Sequence, residues 1–586
     1  MFEIENRQPN FNQFPVIEYK DINSFGGYTK VTNKIKQEIK KIDKKKRIVV
    51  FDCFFGVDTK SVKENIIDKL GADLVINVED AKLSEEITAE KFKKFIVPDD
   101  RAYGVFAVGT MDEFFCEDKI NELKNNIRKA KGLVVVYGVA AGLLADGDLN
   151  IYCNVAYDKY AERLARGLDN WGAGNYNEEP LRKQKRMMFL EQPMMEKYKI
   201  NKMTSADFIC DFSDAETPVL LKNDDFKKII RRLCKRPYQL TPGFTKAIWG
   251  GHWAQKVLGV HPEWENIGWV MTGHMNFMHI DFIIGGNKLP IFGLDAIYYE
   301  PKKLLGGSIY YKWGYRCPIT TNYLDTWGGG NLSLQVHSIA SYGQMTLNAR
   351  AGHHESYYMM DTTDHSSVYL GLKKGTKVKD MVADLNKAQK TAKFDDTKYI
   401  NKIPMKKHQH VFIPGGTVHC SGEGTCVLEI DQYTYATFKL WDWGRVDYDG
   451  LPRPININHG QYCIQEDFNG EFVYDRLIAK QPEIARGDGW RLEDSSSIEY
   501  EPMDIKRYWF KKPVHIECND AIAILVLVEG EEAVVESVDG SFDPFVIHYG
   551  ESTFIPAEVG QYIVKPYGKS EGEELALIKV TYPSKA

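Results

Sequence analysis

Hydrophobic and polar positions change rhythm part-way along the chain. In the first third, short apolar runs alternate with longer amphipathic stretches. Ile48-Val-Val-Phe-Asp, Asp73-Leu-Val-Ile-Asn, Leu133-Val-Val-Val-Tyr and Ile151-Tyr-Cys-Asn-Val read as strands. Met111–Ala130 and Asp158–Trp171 read as helices between them. Strands alternating with helices predict a mostly parallel sheet, an open α/β layer. From about residue 240 onward strands dominate, rich in Gly, Trp and Tyr. The change falls near residues 215–240, around Asp211-Phe-Ser-Asp and Arg236-Pro-Tyr-Gln-Leu-Thr-Pro. Histidine marks the same boundary. None of the 14 histidines precedes His252, and most lie between His252 and His459.

A length of 586 residues allows several cores, and the usual prior is about four domains. The net charge of −6 comes with no long basic block, so nucleic acid and anionic membrane surfaces are not expected partners. The Lys34–Arg47 stretch reads as a solvated helix face. The N-terminus, Met-Phe-Glu-Ile-Glu-Asn-Arg, carries early acids and does not read as a signal peptide. The apolar run Gly132–Ala145 is too short and too glycine-rich to span a bilayer. The 10 cysteines contain no C-x-x-C pair, which fits reduced thiols in a cytoplasmic protein.

In the first part, Val50-Phe-Asp-Cys-Phe-Phe-Gly-Val-Asp-Thr-Lys-Ser-Val has the strand-turn-helix layout of a phosphate loop, ending in Lys60-Ser61. Thr59 stands where such a loop has glycine before its lysine, and Phe54 takes the first glycine position. A bulky side chain there obstructs backbone approach to phosphate. With Tyr160-Ala-Glu-Arg-Leu-Ala-Arg-Gly, the region resembles a degenerate nucleoside-kinase-like P-loop domain, implying a structural or regulatory role.

In the β-rich part, Asn331-Leu-Ser-Leu-Gln-Val-His places Gln335 and His337 on one side of a strand, because side chains two apart share a face. Glu355 lies in the strand-like run His354-Glu-Ser-Tyr-Tyr-Met-Met. His419 follows the tight turn of Phe412-Ile-Pro-Gly-Gly-Thr-Val-His. Two His, one Glu and one Gln form an N/O donor set that suits zinc or another borderline divalent ion. Any of the four taken singly reads equally well as satisfied core; it is their setting in apolar strands beside Gly turns that points to a barrel metal site. Val411-Phe-Ile-Pro-Gly-Gly-Thr-Val-His and Thr553-Phe-Ile-Pro-Ala-Glu-Val-Gly-Gln repeat one another. The second copy has Gln561 or Tyr562 where the first has His419. This pattern predicts tandem cupin barrels of which only the first holds metal.

Residues 240–586 resemble the type I mannose-6-phosphate isomerases, especially the short bacterial form. The landmarks run in order: Ile248-Trp-Gly-Gly, Asn266-Ile-Gly, Leu304-Leu-Gly, Leu332-Ser-Leu-Gln-Val-His, His354-Glu355, Ile413-Pro-Gly-Gly-Thr-Val-His, Leu428-Glu-Ile and Trp441-Asp-Trp-Gly-Arg445. The resemblance implies that Gln335, His337, Glu355 and His419 bind one Zn2+ ion in a cupin barrel, with other divalent metals left open. It also implies an aldose-ketose isomerase that interconverts mannose 6-phosphate and fructose 6-phosphate through an enediol. Several positions depart from the family pattern. Ser338 replaces the usual proline after Gln-x-His. His353 and Asn322 stand where the family has lysines, and Lys439 where it has an arginine. Lys439 keeps a charge but lacks the planar fork that grips phosphate in two places.

The expected fold is therefore multidomain: an N-terminal α/β P-loop-like parallel sheet at 1–235, a metal-binding cupin domain at 236–460 and a metal-free cupin-like barrel at 461–586. Glu429 and His353 are the candidate bases. Lys439 and Arg445 are the candidate anion contacts; Glu429 reads equally well as held in a salt bridge to Lys439 or Arg445, and Arg445 as closing a turn. The expected partner is a small-molecule sugar phosphate, and a homo-oligomer is left open. Two other readings stay open: a metal-binding sugar sensor without turnover, and a bifunctional protein whose N-terminal domain binds nucleotide.

Overall fold

A computed structural model describes residues 8–434, 436–448, 450–496 and 502–583. The chain forms two compact units. One gathers Arg232–Asn276 and everything from Glu300 onward, with the segment ending at Pro15; the other comprises Val16–Arg231 and Phe277–Tyr299. The sequence reading divided the chain at residue 235. The structure instead returns the Phe277–Tyr299 segment to the α/β unit.

The α/β unit is built on a seven-stranded sheet. Its order is Phe25–Gly26, Val219–Lys222, Phe208–Asp211, Leu149–Asn154, Lys46–Cys53, Gly132–Val139, Leu74–Asn77. The last five run parallel, as near-continuous buried apolar runs with helical crossovers dictate. Val219–Lys222 runs antiparallel beside them. The returning segment contributes the hairpin His279–Ile284 and Asn287–Phe292, on which Val16–Tyr19 pairs in parallel. Its helix Gly293–Tyr299 delivers Asp295 to Lys199 at 2.7 Å and to the amide of Asn154, also at 2.7 Å. This is a buried ion pair with its remaining polar partners supplied.

The turn after Lys46–Cys53 is filled by aromatic rings. Phe54 and Phe55 are buried and pack with Tyr160, whose ring lies where a Cβ on Gly56 would need space. Lys60 is exposed on a seven-residue helix, beside Glu64. Lys199 instead lies over the Phe54 ring at 4.2 Å.

In the β unit, a six-stranded sheet has the order His410–Ile413, Glu355–Thr362, Thr425–Gln432, Ile319–Asp325, Trp269–Met271, Gly243–Thr245. A five-stranded sheet has the order Ile400–Pro404, Ser367–Leu372, Val418–Ser421, Leu334–His337, Thr437–Trp441. They form the cupin-like part of the chain. Further along, sheets of six and four strands enclose a second core of apolar side chains, among them Leu525, Leu527, Val535, Ile547 and Tyr562. Gln561 points outward beside Glu517. All ten cysteines are free thiols, and among the described residues no helix is long and apolar enough to cross a membrane.

Asp52, at the end of the central α/β strand, is buried and accepts the Tyr198 hydroxyl at 2.6 Å. Burial pushes its carboxyl up to about 7, against the opposing pull of Tyr198 and the Gly142 backbone. Between the ordinary carboxylate range and pH 7 the folded state holds a proton that the unfolded chain has released. Stability from this group therefore falls as pH rises through that window, by about 1.4 kcal/mol per pH unit. Asp52→Asn should raise the urea midpoint at pH 8 and leave it nearly unchanged at pH 4. Equal effects at both values would disprove the account.

Candidate functional site

Gln335 and His337 occupy alternate positions of Leu334–His337, so both face the interior between the two cupin sheets. The register places Gln335 between His419 and Lys439 on its two neighbouring strands. His419 enters its strand from the Pro-Gly-Gly-Thr turn. Gly416 adopts φ +93°, and a Cβ on Gly415 would meet the Ser338 carbonyl oxygen at 2.6 Å. Two glycines are therefore what lets this turn close against the strand that carries His337. Glu355 opens Glu355–Thr362 in the opposite sheet.

These four side chains meet. His337 Nε2 lies 2.9 Å from Glu355 Oε2, His419 Nε2 lies 2.6 Å from Glu355 Oε1, and the Gln335 amide is 3.3 Å from His419 Nε2. All are buried. Each imidazole is held from behind. His419 Nδ1 donates to the Thr417 carbonyl at 2.8 Å, and His337 Nδ1 lies 3.1 Å from the Thr437 hydroxyl. Such backing fixes the ring and presents Nε2 to the interior. Glu355 Oε1 and His337 Nε2 have no hydrogen bond of normal geometry despite these short approaches. Two imidazoles, a carboxylate and an amide converging in a buried place are what a cation would join, and the donor set fits zinc or a similar ion.

Burial pushes the His337 imidazole down to about 3, against the opposing pull of Glu355. Burial alone would raise Glu355, but His337 and His419 outweigh it and hold the carboxyl well below its usual range.

Beside this group lies a second one. Glu355 is directly opposite Asp431 on Thr425–Gln432, and Tyr357 is opposite Glu429. Glu429 and Asp431 are two apart, so three carboxylates share one face. Asn322, opposite Glu429 on the other side, donates its amide to that carboxylate. His353 Nε2 is 3.8 Å from Asp431 Oδ1, and its ring centroid is 3.9 Å from that of His337. Burial, then Asp431 and Glu355, push Glu429 well above the usual carboxylate range; burial raises Asp431 to about 6. His274, half-buried, is pushed down to about 4 by desolvation.

The two candidate anion contacts differ. Lys439 is half-buried, and burial with the nearby Arg453 charge lowers it to about 8. Arg445 hydrogen-bonds to the side chain and carbonyl of Asp442, closing its turn. Asp431, His274 and the backing threonines were not singled out in the sequence. The alternation Glu429-x-Asp431 in an apolar strand was the available signal for the first of these.

The fold and side chains thus define a cupin-like sandwich with an interior N/O donor cluster. Residues 27–235 match a family model described as "Domain of unknown function (DUF8485)". The mannose-6-phosphate isomerase ManA of Bacillus subtilis (strain 168) is 22% identical over 340 residues, covering 57% of this chain and 94% of that protein. The mannose-6-phosphate isomerase of Streptococcus mutans serotype c is 27% identical over 225 residues, covering 38% of this chain and 65% of that protein. Among solved structures, the mannose 6-phosphate isomerase from Bacillus subtilis aligns with a TM-score of 0.47 and 18% identity, covering 59% of this chain and 99% of that one. A zinc-bound mannose 6-phosphate isomerase aligns with a TM-score of 0.44 and 13% identity, covering 58% and 98%. The chain is therefore homologous to mannose-6-phosphate isomerases over about 57% of its length. The likeness of the first part to a P-loop kinase gains no support from these matches.

Proposed function

We propose that this chain is a divalent-metal-dependent aldose-ketose isomerase of the cytoplasm, acting on mannose 6-phosphate and fructose 6-phosphate or a related sugar. The observation that carries it is the meeting of Gln335, His337, Glu355 and His419 at 2.6–3.3 Å inside the first barrel. Zinc is the ion this donor set suits best. Bound there, it supplies Lewis-acid stabilisation of negative charge developing on sugar oxygens. The homology to isomerases supports the reaction class.

Isomerisation moves a proton between C1 and C2 of the sugar, which needs a group able to take and return it. Glu429 suits that task because burial and its acidic neighbours raise its proton affinity, while the Asn322 amide fixes one oxygen. His353, facing Asp431 at the rim of the same cluster, is the other candidate. Lys439 is placed beside Gln335 to hold an anionic oxygen or a phosphate. Arg445 acts on Lys439's surroundings through Asp442, whose charge it shares with Arg453.

Isomerisation of hexoses and pentoses, each with and without phosphate, followed by NMR on the zinc-loaded protein, tests the activity. His337→Ala should strip the ion, as read by metal analysis, and abolish turnover while the α/β unit stays folded. Undiminished zinc in that variant would refute the ligand set. Thr437→Val should weaken zinc affinity by about 10–100-fold through the lost backing of His337; unchanged affinity in a competitive chelator titration would refute that role. Lys439→Ala should lower kcat/KM for phosphorylated sugars by about 10–100-fold, the scale of one charge-assisted hydrogen bond. Equal losses on neutral sugars would mean that Lys439 does not read phosphate.

A further inference from the structure

Two neighbouring tyrosines in Glu355–Thr362 face opposite ways, and their hydroxyls fare differently. Tyr358 points away from the donor cluster, where Arg507 Nη1 at 3.1 Å and His408 Nδ1 at 2.8 Å meet its oxygen. Tyr323, on the same outer face, donates to the Gly550 carbonyl at 2.8 Å. Tyr357 shares the inner face with Glu355, two residues away, and stands directly opposite Glu429. Among the described residues its hydroxyl has no hydrogen-bond partner, although the side chain is 0% exposed. Buried tyrosine hydroxyls ordinarily find a partner. A phenylalanine would fill the same space without the cost of an unpaired polar group.

That hydroxyl lies among the groups the proposed reaction uses. Asn322, Glu429 and Tyr357 form one row across three neighbouring strands, with Glu429 in the middle. Val411, beside Tyr357 on its other flank, offers no polar side chain. The Tyr357 ring meets that of His419, from the facing sheet, at 73° with centroids 5.9 Å apart, which places it between the two sheets. Burial, then the charges of Glu355 and Glu429, push the hydroxyl well above the ordinary tyrosine value. It keeps its proton near neutral pH and has that proton to donate.

We propose that the Tyr357 hydroxyl donates a hydrogen bond to the sugar oxygen on which negative charge develops when Glu429 takes the proton from the neighbouring carbon. This rests on the reading of the barrel as an aldose-ketose isomerase with Glu429 as its base. The C–H bond breaks toward Glu429, its electron pair spreads onto that oxygen, and the tyrosine keeps its own proton. A donor already in place where charge develops, in a site shut off from water, has no reorganisation to undergo during the reaction. In the resting protein the same hydroxyl stays unpaired, so its hydrogen bond is gained only with sugar present.

The test compares wild type with Tyr357→Phe as zinc-loaded full chains, on whichever sugar of the hexose and pentose panel the wild type isomerises fastest. The variant should keep its zinc by metal analysis and have a urea midpoint no lower than wild type. Its kcat should fall by about 100-fold with KM nearly unchanged, the mark of an interaction made in the transition state. Equal kcat in the two proteins would overturn the role of Tyr357 and leave the isomerase reading intact. Lost zinc or a lowered urea midpoint alongside lost turnover would assign Tyr357 to the scaffold and overturn it too. A wild type inactive on the whole panel would sink the isomerase reading itself, and Tyr357 with it.

Discussion

Glu355 is the residue on which the site depends. Its two oxygens are approached from the facing sheet by His337 at 2.9 Å and His419 at 2.6 Å, in a place shut off from water. A buried carboxylate without compensation is expensive. The α/β unit meets the same cost with a cation of its own, since Lys199 reaches Asp295 at 2.7 Å and Asn154 satisfies the other oxygen. Around Glu355 the chain supplies imidazoles, an amide and two more acids, but among the described residues no such ion-paired lysine. These are donor atoms of the kind that could hold a divalent ion.

The framework that holds these donors works by register and by backing. Period-2 alternation places Gln335 with His337, and Glu429 with Asp431, each pair on one face. Cross-strand register then sets Gln335 beside His419 and Lys439, and Glu355 opposite Asp431. Thr417 and Thr437 orient the two imidazoles from behind. None of these placements relies on a flexible loop, apart from the Gly415-Gly416 turn, whose close packing on Ser338 makes it rigid.

The sequence shows what is local and hides what is not. Gln335-x-His337 was readable because alternation along one strand needs no partner. His419 was readable from its glycine turn. The opposition of Glu355 and Asp431 was not, because it depends on which strands pair and in what register, and a fully buried strand such as Thr425–Gln432 shows little alternation to fix its face. The path of Phe277–Tyr299 was hidden for a similar reason. Its hairpin, with Gly285 and Gly286 both at positive φ, reads as one more β element of the second half, yet it pairs with Val16–Tyr19 in the α/β unit. The Lys60-Ser61 ending reads as a degenerate phosphate loop because Phe54 stands at the first glycine position. In the structure Phe54 and Phe55 pack on Tyr160, whose ring crowds Gly56 in that turn.

The two similar Ile-Pro turns show how little separates a donor cluster from an ordinary core. Both lead one strand into the next across a sandwich edge. In the first, the residue six beyond the isoleucine is His419, inward and within reach of Gln335 and Glu355. In the second, Gln561 turns outward to Glu517 and Tyr562 turns inward among Leu525, Ile547 and Val564. A one-residue shift in which side chain faces inward exchanges polar for apolar across a whole strand. Hydrocarbon on both inner faces gains stability from burial alone. A donor cluster gives up that gain, which a divalent ion of the kind these residues could hold would return.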